Sequence, residues 1–197
     1  AASEAPVIDC SEGVALLSAL GHEGHDHDEE YDPHIWMAPG NAERMLQTIA
    51  EALAVVDPSH LDPYRSNSGT AVKEIQSGIQ PDGEALAALP GLLTFHDGFQ
   101  YFAQAFGLEL LKAIEEDEGS EASAAEIREI VSLVEEHHIP AIFTEKNGSD
   151  ATARAIARET GCAVDTLDMI MSGDGDGIQP YIDAMNANLG TILEALQ

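Results

Sequence analysis

Apolar residues recur at helical spacing in the first part of the chain and gather into short runs after residue 90. Residues 7–20, VIDCSEGVALLSAL, read as a short strand or turn running into a helix. After Pro39, Asn41 offers an N-cap, and Met45, Leu46, Ile49 and Leu53 then follow at helical intervals to the stop at Asp57-Pro58. A second helix is expected from about Ser59 to Ile79, carrying Leu61, Tyr64, Ala71 and Ile75, although it is polar for its length and crosses a glycine.

From residue 90 apolar runs alternate with helical patterns. The runs are GLLTF (91–95), LELLKAI (108–114), PAIFT (140–144) and AVDTL (163–167). Helical spacing follows the first in FQYFAQAFG. After the second, Ser123 and Glu126 fit a capping box ahead of Ile127, Ile130, Val131 and Val134. Ser149 or Asp150 opens a helix after the third. A last helix, past the loop SGDGDG, carries Tyr181, Ile182, Met185, Leu189, Ile192, Leu193 and Leu196. Strands alternating with helices predict βαβ crossovers, hence an α/β fold with a parallel four-stranded sheet flanked by helices and a helical amino-terminal portion.

Composition narrows the partners. The chain has 197 residues, enough for one substantial core, and 44% of them are hydrophobic, which excludes wholesale disorder. Against 36 acidic residues stand only 8 basic ones, a net charge of −28. Nucleic acid and anionic membrane surfaces are excluded as partners, because both are held through Lys/Arg patches. Cations are attracted, and the charge also serves solubility. No apolar run approaches the ~20 residues that span a bilayer. AASEAPVID lacks a charged-then-apolar leader, so an export signal or anchor is not expected within this sequence. Cys10 and Cys162 have no CxxC spacing; a disulfide, free thiols and metal ligation all stay open, and a non-catalytic role is favoured for both.

The chemistry gathers at two places. Open parallel sheets bind ligands at the carboxyl ends of their strands, and three of the runs end in a ligand-type residue: His96 (followed by Asp97), Glu145 and Asp168. Imidazoles with one or two carboxylates suit zinc, whereas manganese favours a more oxygen-rich set. For each there is a plainer role: His96 at a helix start, Asp97 and Asp168 as caps, Glu145 pairing with Lys146 or orienting a ligand. The other place is GHEGHDHDEEYDPHIW (21–36), with four of the eight histidines. His34 is anchored by Pro33, Ile35 and Trp36. His22, His25 and His27 lie among glycines and acids, as in a solvated tract that binds metal weakly. His60 reads as surface or cap, and His137-His138 as a helix end where positive charge favours the macrodipole.

DPHIWMAPGNAERM, DPSHLDPYRSN, FHDGFQYFAQAFGLEL, FTEKNGSDATARAIARETG and VDTLD, in that order, resemble the zinc- and manganese-binding solute receptors of bacterial ABC transporters. The resemblance runs from about Val7 to the end, and the acidic histidine tract before DPHIW is similar to the loop of zinc-selective members. It implies a two-lobed receptor with metal between lobes joined by a long helix. On that pattern residues 1–58 are the remnant of an amino-terminal lobe with a His-rich loop at 21–30, 59–80 the connecting helix, and 81–197 the carboxyl-terminal α/β lobe. It makes His34, His96 and Asp168 metal ligands. Manganese-type members tend to carry glutamate at the position of His96, so zinc is the expected cargo. About the first third of the family pattern, with one further ligand histidine, has no counterpart in this sequence. Water, Glu145, or one of His22, His25 and His27 is then the candidate for the remaining position. The expected protein is a monomeric, extracytoplasmic, non-enzymatic zinc receptor serving an ABC permease. A zinc buffer or chaperone domain is the first rival. A zinc hydrolase with Glu145 as base is the weaker one.

Overall fold

The computed structural model describes residues 5–19, 31–113, 123–146, 150–173 and 175–197. Helix α1 (Pro39–Val56) starts with Pro39 in its first turn and Ala38, not Asn41, as N-cap; proline suits that position because its missing N–H is one the helix end leaves unpaired. A single 3-10 turn, Pro58–His60, leads into α2 (Leu61–Gly78), and a short α3 (Gly83–Ala87) follows. The sequence pattern missed α3, whose start is held by Asp82 accepting from the Ala85 amide at 3.0 Å.

The buried residues of α1 are Ala42, Ala50 and Ala54, while Ile49 and Leu53 are about 40% exposed. Of the apolar stripe, Met45 and Leu46 pack against the core, whereas Ile49 and Leu53 do not mark the buried face. The buried positions of α1 are all small alanines, which let it lie close against α2. Across that seam Arg65 makes two bonds to Glu51 (2.9 and 2.8 Å) and Gln76 donates to Glu43 at 2.8 Å.

Next come β1 (Leu92–Thr94), α4 (Gln100–Phe106), β2 (Leu110–Ala113), α5 (Ala124–Glu136), β3 (Ala141–Glu145), α6 (Ala151–Thr160), β4 (Ala163–Leu167) and α7 (Gln179–Leu196). The strands form one parallel sheet in the order β2-β1-β3-β4. Every residue of β1 is buried, as is β3 through Thr144; consecutive burial means both sheet faces are covered. The edge strands β2 and β4 are half exposed. The capping box at Ser123 and Glu126 forms as expected. Asp150 is the N-cap of α6, but its carboxylate pairs with Arg154 rather than capping the backbone. Ser149 lies outside the described residues.

The helix expected within residues 7–20 is absent from the described residues 5–19. Gly13 takes a left-handed φ of +82° and Asp9 accepts from the Ser11 amide, which makes a turn. Beyond it the Leu17 amide donates to the Tyr101 hydroxyl at 2.9 Å, and the Leu17 carbonyl accepts from the Asp32 amide at 2.8 Å. Tertiary partners thus satisfy the backbone groups a helix would have paired locally. One glycine matters to the packing of helices: a Cβ on Gly78 would meet Ile182 Cγ2 at 2.7 Å, so its absence lets α2 approach α7.

Candidate metal centre

Asp32 and His34 form one rigid unit. Asp32 is 1% exposed, and its Oδ1 accepts from both the His34 backbone amide and Nδ1, each at 2.8 Å. A carboxylate oxygen accepts, so Nδ1 carries the ring proton and Nε2 is left with a lone pair for a ligand. The unit is fixed from outside by Tyr101, whose hydroxyl donates to the Asp32 carbonyl at 3.3 Å. Burial raises that hydroxyl above the ordinary phenol range, which keeps it a donor. Ile35 and Met37, both buried, anchor the 3-10 turn that starts just after His34. The second oxygen, Asp32 Oδ2, is buried without a hydrogen-bond partner among the described residues. Sequence reasoning missed Asp32; the available signal was a carboxylate two residues before the histidine with a proline between them.

His96 arrives from the other direction, at the carboxyl end of β1. Thr94 donates to the His96 carbonyl at 3.0 Å and fixes the exit from the strand. Its Nε2 lies 3.4 Å from His34 Nε2, with the ring centroids 5.2 Å apart and the planes at 79°. That separation is long for a direct nitrogen-to-nitrogen hydrogen bond. It matches two nitrogens sharing one zinc: bonds of about 2.0–2.1 Å at a tetrahedral angle place them about 3.3–3.4 Å apart.

Asp168 follows β4, and its backbone is pinned by Asn188 on α7, which accepts from the Asp168 amide and donates to its carbonyl, both at 2.8 Å. The next residue joins this loop to both histidines. Met169 accepts at its carbonyl from Trp36 Nε1 at 3.0 Å. Its thioether covers Gly98, where a Cβ would come 2.0 Å from Met169 Cε and 3.0 Å from the His96 ring. Glycine at 98 thus leaves room for the end of the Met169 side chain beside the His96 ring. Trp36 is in turn held by Tyr181, whose hydroxyl donates to the Trp36 carbonyl at 2.8 Å and is raised in pKa by burial.

The Asp168 carboxylate itself is engaged elsewhere. Oδ1 accepts from the Ile170 amide at 2.8 Å and Oδ2 from Lys146 Nζ at 3.2 Å. Ile170 stands at a left-handed φ of 55°, a costly conformation for a branched side chain, on the order of 1–3 kcal/mol. No group of three or more His, Cys, Asp or Glu side chains poised around one point occurs among the described residues. The structure thus brings His34 and His96 together and leaves the Asp168 carboxylate on other partners, Lys146 and the Ile170 amide. Glu145 ends β3 directly opposite Leu167 of β4, and the lysine after it pairs with Asp168.

The remaining histidines play other parts. His22, His25 and His27 lie outside the described residues. His60 is exposed and bound to Asp57 at 2.6 Å, at the α1–α2 junction. His137 is the C-cap of α5, and His138 follows at a left-handed φ of 52°. Cys10 and Cys162 are both free thiols.

The fold is an α/β protein with a parallel sheet, and His96 at the carboxyl end of β1 meets His34 on an adjoining loop. Residues 1–195 match the family model described as zinc-uptake complex component A, periplasmic (ZnuA), and the chain belongs to that family, one of solute receptors rather than enzymes. It is 30% identical over 174 residues to the zinc-binding lipoprotein AdcA of Streptococcus pneumoniae, covering 86% of this chain and 34% of AdcA. It is 28% identical over 171 residues to the iron-binding protein YfeA of Yersinia pestis, covering 82% of this chain and 54% of YfeA. A crystal structure of ZnuA superposes with a TM-score of 0.79 at 28% identity, over 96% of this chain and 70% of that one. The chain therefore spans about a third to a half of these two curated relatives.

Proposed function

We propose that this chain captures extracytoplasmic zinc between His34 and His96, with Asp168 as third ligand, and delivers it to the permease of a metal ABC transporter. The observation that carries the reading is the 3.4 Å between the two Nε2 atoms, the spacing of two nitrogens on one tetrahedral zinc. Nitrogen donors favour zinc over manganese, whose sites are richer in oxygen; the iron-binding relative makes metal choice a property to be measured rather than inherited. Water, Glu145, or one of His22, His25 and His27 fills the remaining position. In the same reading residues 1–58 belong to an amino-terminal lobe, 59–80 connect, and 81–197 form the carboxyl-terminal lobe.

Capture needs tight coordination and release needs the ligands to separate, so no bond is made or broken in the cargo. A zinc titration against competing chelators tests the site. His34→Ala and His96→Ala are each expected to weaken binding by about a hundredfold or more, since each removes one of three protein ligands. Tight binding that survives both substitutions would refute the assignment.

A further inference from the structure

We propose that Lys146 acts as a tethered competitor of the metal: its ammonium holds the Asp168 carboxylate in the metal's stead and so sets how tightly zinc is kept and how readily it is released. The inference rests on the reading of Asp168 as the third ligand. Three observations lead to it. The first is register. β3 and β4 run parallel with Glu145 opposite Leu167, and the Lys146 amide donates to the Leu167 carbonyl at 3.0 Å. The sheet therefore places residue 146 beside residue 168 whatever side chain stands there, and here it is one of only eight cations in the chain.

The second is the state of the carboxylate. Both oxygens are engaged, Oδ2 by Lys146 Nζ at 3.2 Å and Oδ1 by the Ile170 amide at 2.8 Å. Yet the backbone around it is already anchored beside the imidazole pair, through Asn188, through the Met169 carbonyl on Trp36, and through the Met169 side chain over Gly98 and His96. To join the histidines, the Asp168 carboxylate has to exchange these two partners.

The third is exposure. The Lys146 side chain is 67% exposed and that of Asp168 33%, so the pair is weak and solvent-screened. A weak pair suits a competitor: it opposes the metal without barring it, and it is ready to re-form when the metal leaves. An interaction made only in the metal-free arrangement reduces affinity by its own free energy.

Zinc affinity, measured by chelator competition on the full chain, Lys146→Met, Lys146→Arg, Asp168→Asn and the double variant Lys146→Met/Asp168→Asn, tests this, with His34→Ala as the reference for the site. Lys146→Met is expected to tighten zinc about fivefold, the size an exposed pair supplies, and Lys146→Arg to stay within about twofold of the parent. The gain from Lys146→Met should vanish when Asp168 is already asparagine. A gain of equal size on both backgrounds would show that the lysine acts as a general surface charge, and would overturn the inference. So would unchanged or weaker binding in Lys146→Met while His34→Ala still abolishes the tight site. Affinity indifferent to His34→Ala would remove the receptor site and, with it, the role of Lys146.

Discussion

Asp32 shows how much of the proposed metal centre would be decided away from its ligands. Among the described residues its carboxylate hydrogen-bonds only to His34, and it sets that ring's proton and orientation through a 2.8 Å bond at a buried position. It also accepts the His34 amide, so its removal leaves two donors to find new partners. Asp32→Ala is expected to weaken zinc binding about 10–100-fold, the usual cost of losing a partner that orients a ligand histidine. It should also cost about 1–3 kcal/mol of stability, the penalty for a buried donor left unsatisfied. Asp32→Asn keeps an acceptor toward Nδ1 and should fall between parent and alanine variant in chelator competition and urea unfolding. If alanine and asparagine variants bind zinc as the parent does, His34 needs no such support. The residue was legible only in part. His34 stood out by its apolar neighbours, but a short Asx-type contact within DPH is decided by local backbone angles that a composition reading does not supply.

The secondary-structure elements were legible in proportion to how local their determinants are. The four apolar runs became the four strands, and the capping box at Ser123 formed, because burial on both faces and a three-residue spacing are written in adjacent positions. The neighbour relation of Lys146 and Asp168 was not legible. It depends on how two strands, more than fifteen residues apart in sequence, slide against each other. The segment before DPHIW failed as a helix for a related reason, since its Leu17 amide is satisfied by Tyr101, 84 positions away. At the end of α5 a local rule makes its own prediction. His138 is exposed at φ 52°, while the next amide, Ile139, closes the helix on the Val134 carbonyl at 2.9 Å. A left-handed residue with a Cβ carries a cost of about 1–2 kcal/mol, less for histidine than for branched residues. His138→Gly is expected to raise stability by about 0.5–1 kcal/mol in urea unfolding, and His138→Ala to give no gain. Equal gains from glycine and alanine would mean the histidine ring, rather than the backbone angle, was the source of cost.

Charge acts on the molecule as a whole, and with opposite sign on folding and on capture. Even with every cation paired, 28 carboxylates have no partner of opposite charge. Many carboxylates stand on exposed helix surfaces, among them Asp62, Glu74, Glu84, Glu135, Glu136, Glu159 and Glu194. Their mutual repulsion is larger in the compact state than in the unfolded chain, so folding works against it. Raising salt from 0.1 to 1 M shortens the screening length from about 10 Å to about 3 Å and removes most of that repulsion. Sodium chloride over that range is therefore expected to stabilise the fold by on the order of 1–2 kcal/mol, or about 2–8 °C in Tm at this chain length. The same salt should slow zinc capture, because the field that repels carboxylates from each other also draws cations to the surface. Thermal unfolding at pH 7 and at about pH 4 separates screening from other effects of salt. At the lower pH many carboxylates take up protons, and the salt gain should shrink with the charge. A gain of the same size at both pH values would place the effect of salt on apolar burial instead, and would mean that the net charge of −28 is tolerated without a measurable cost to the fold.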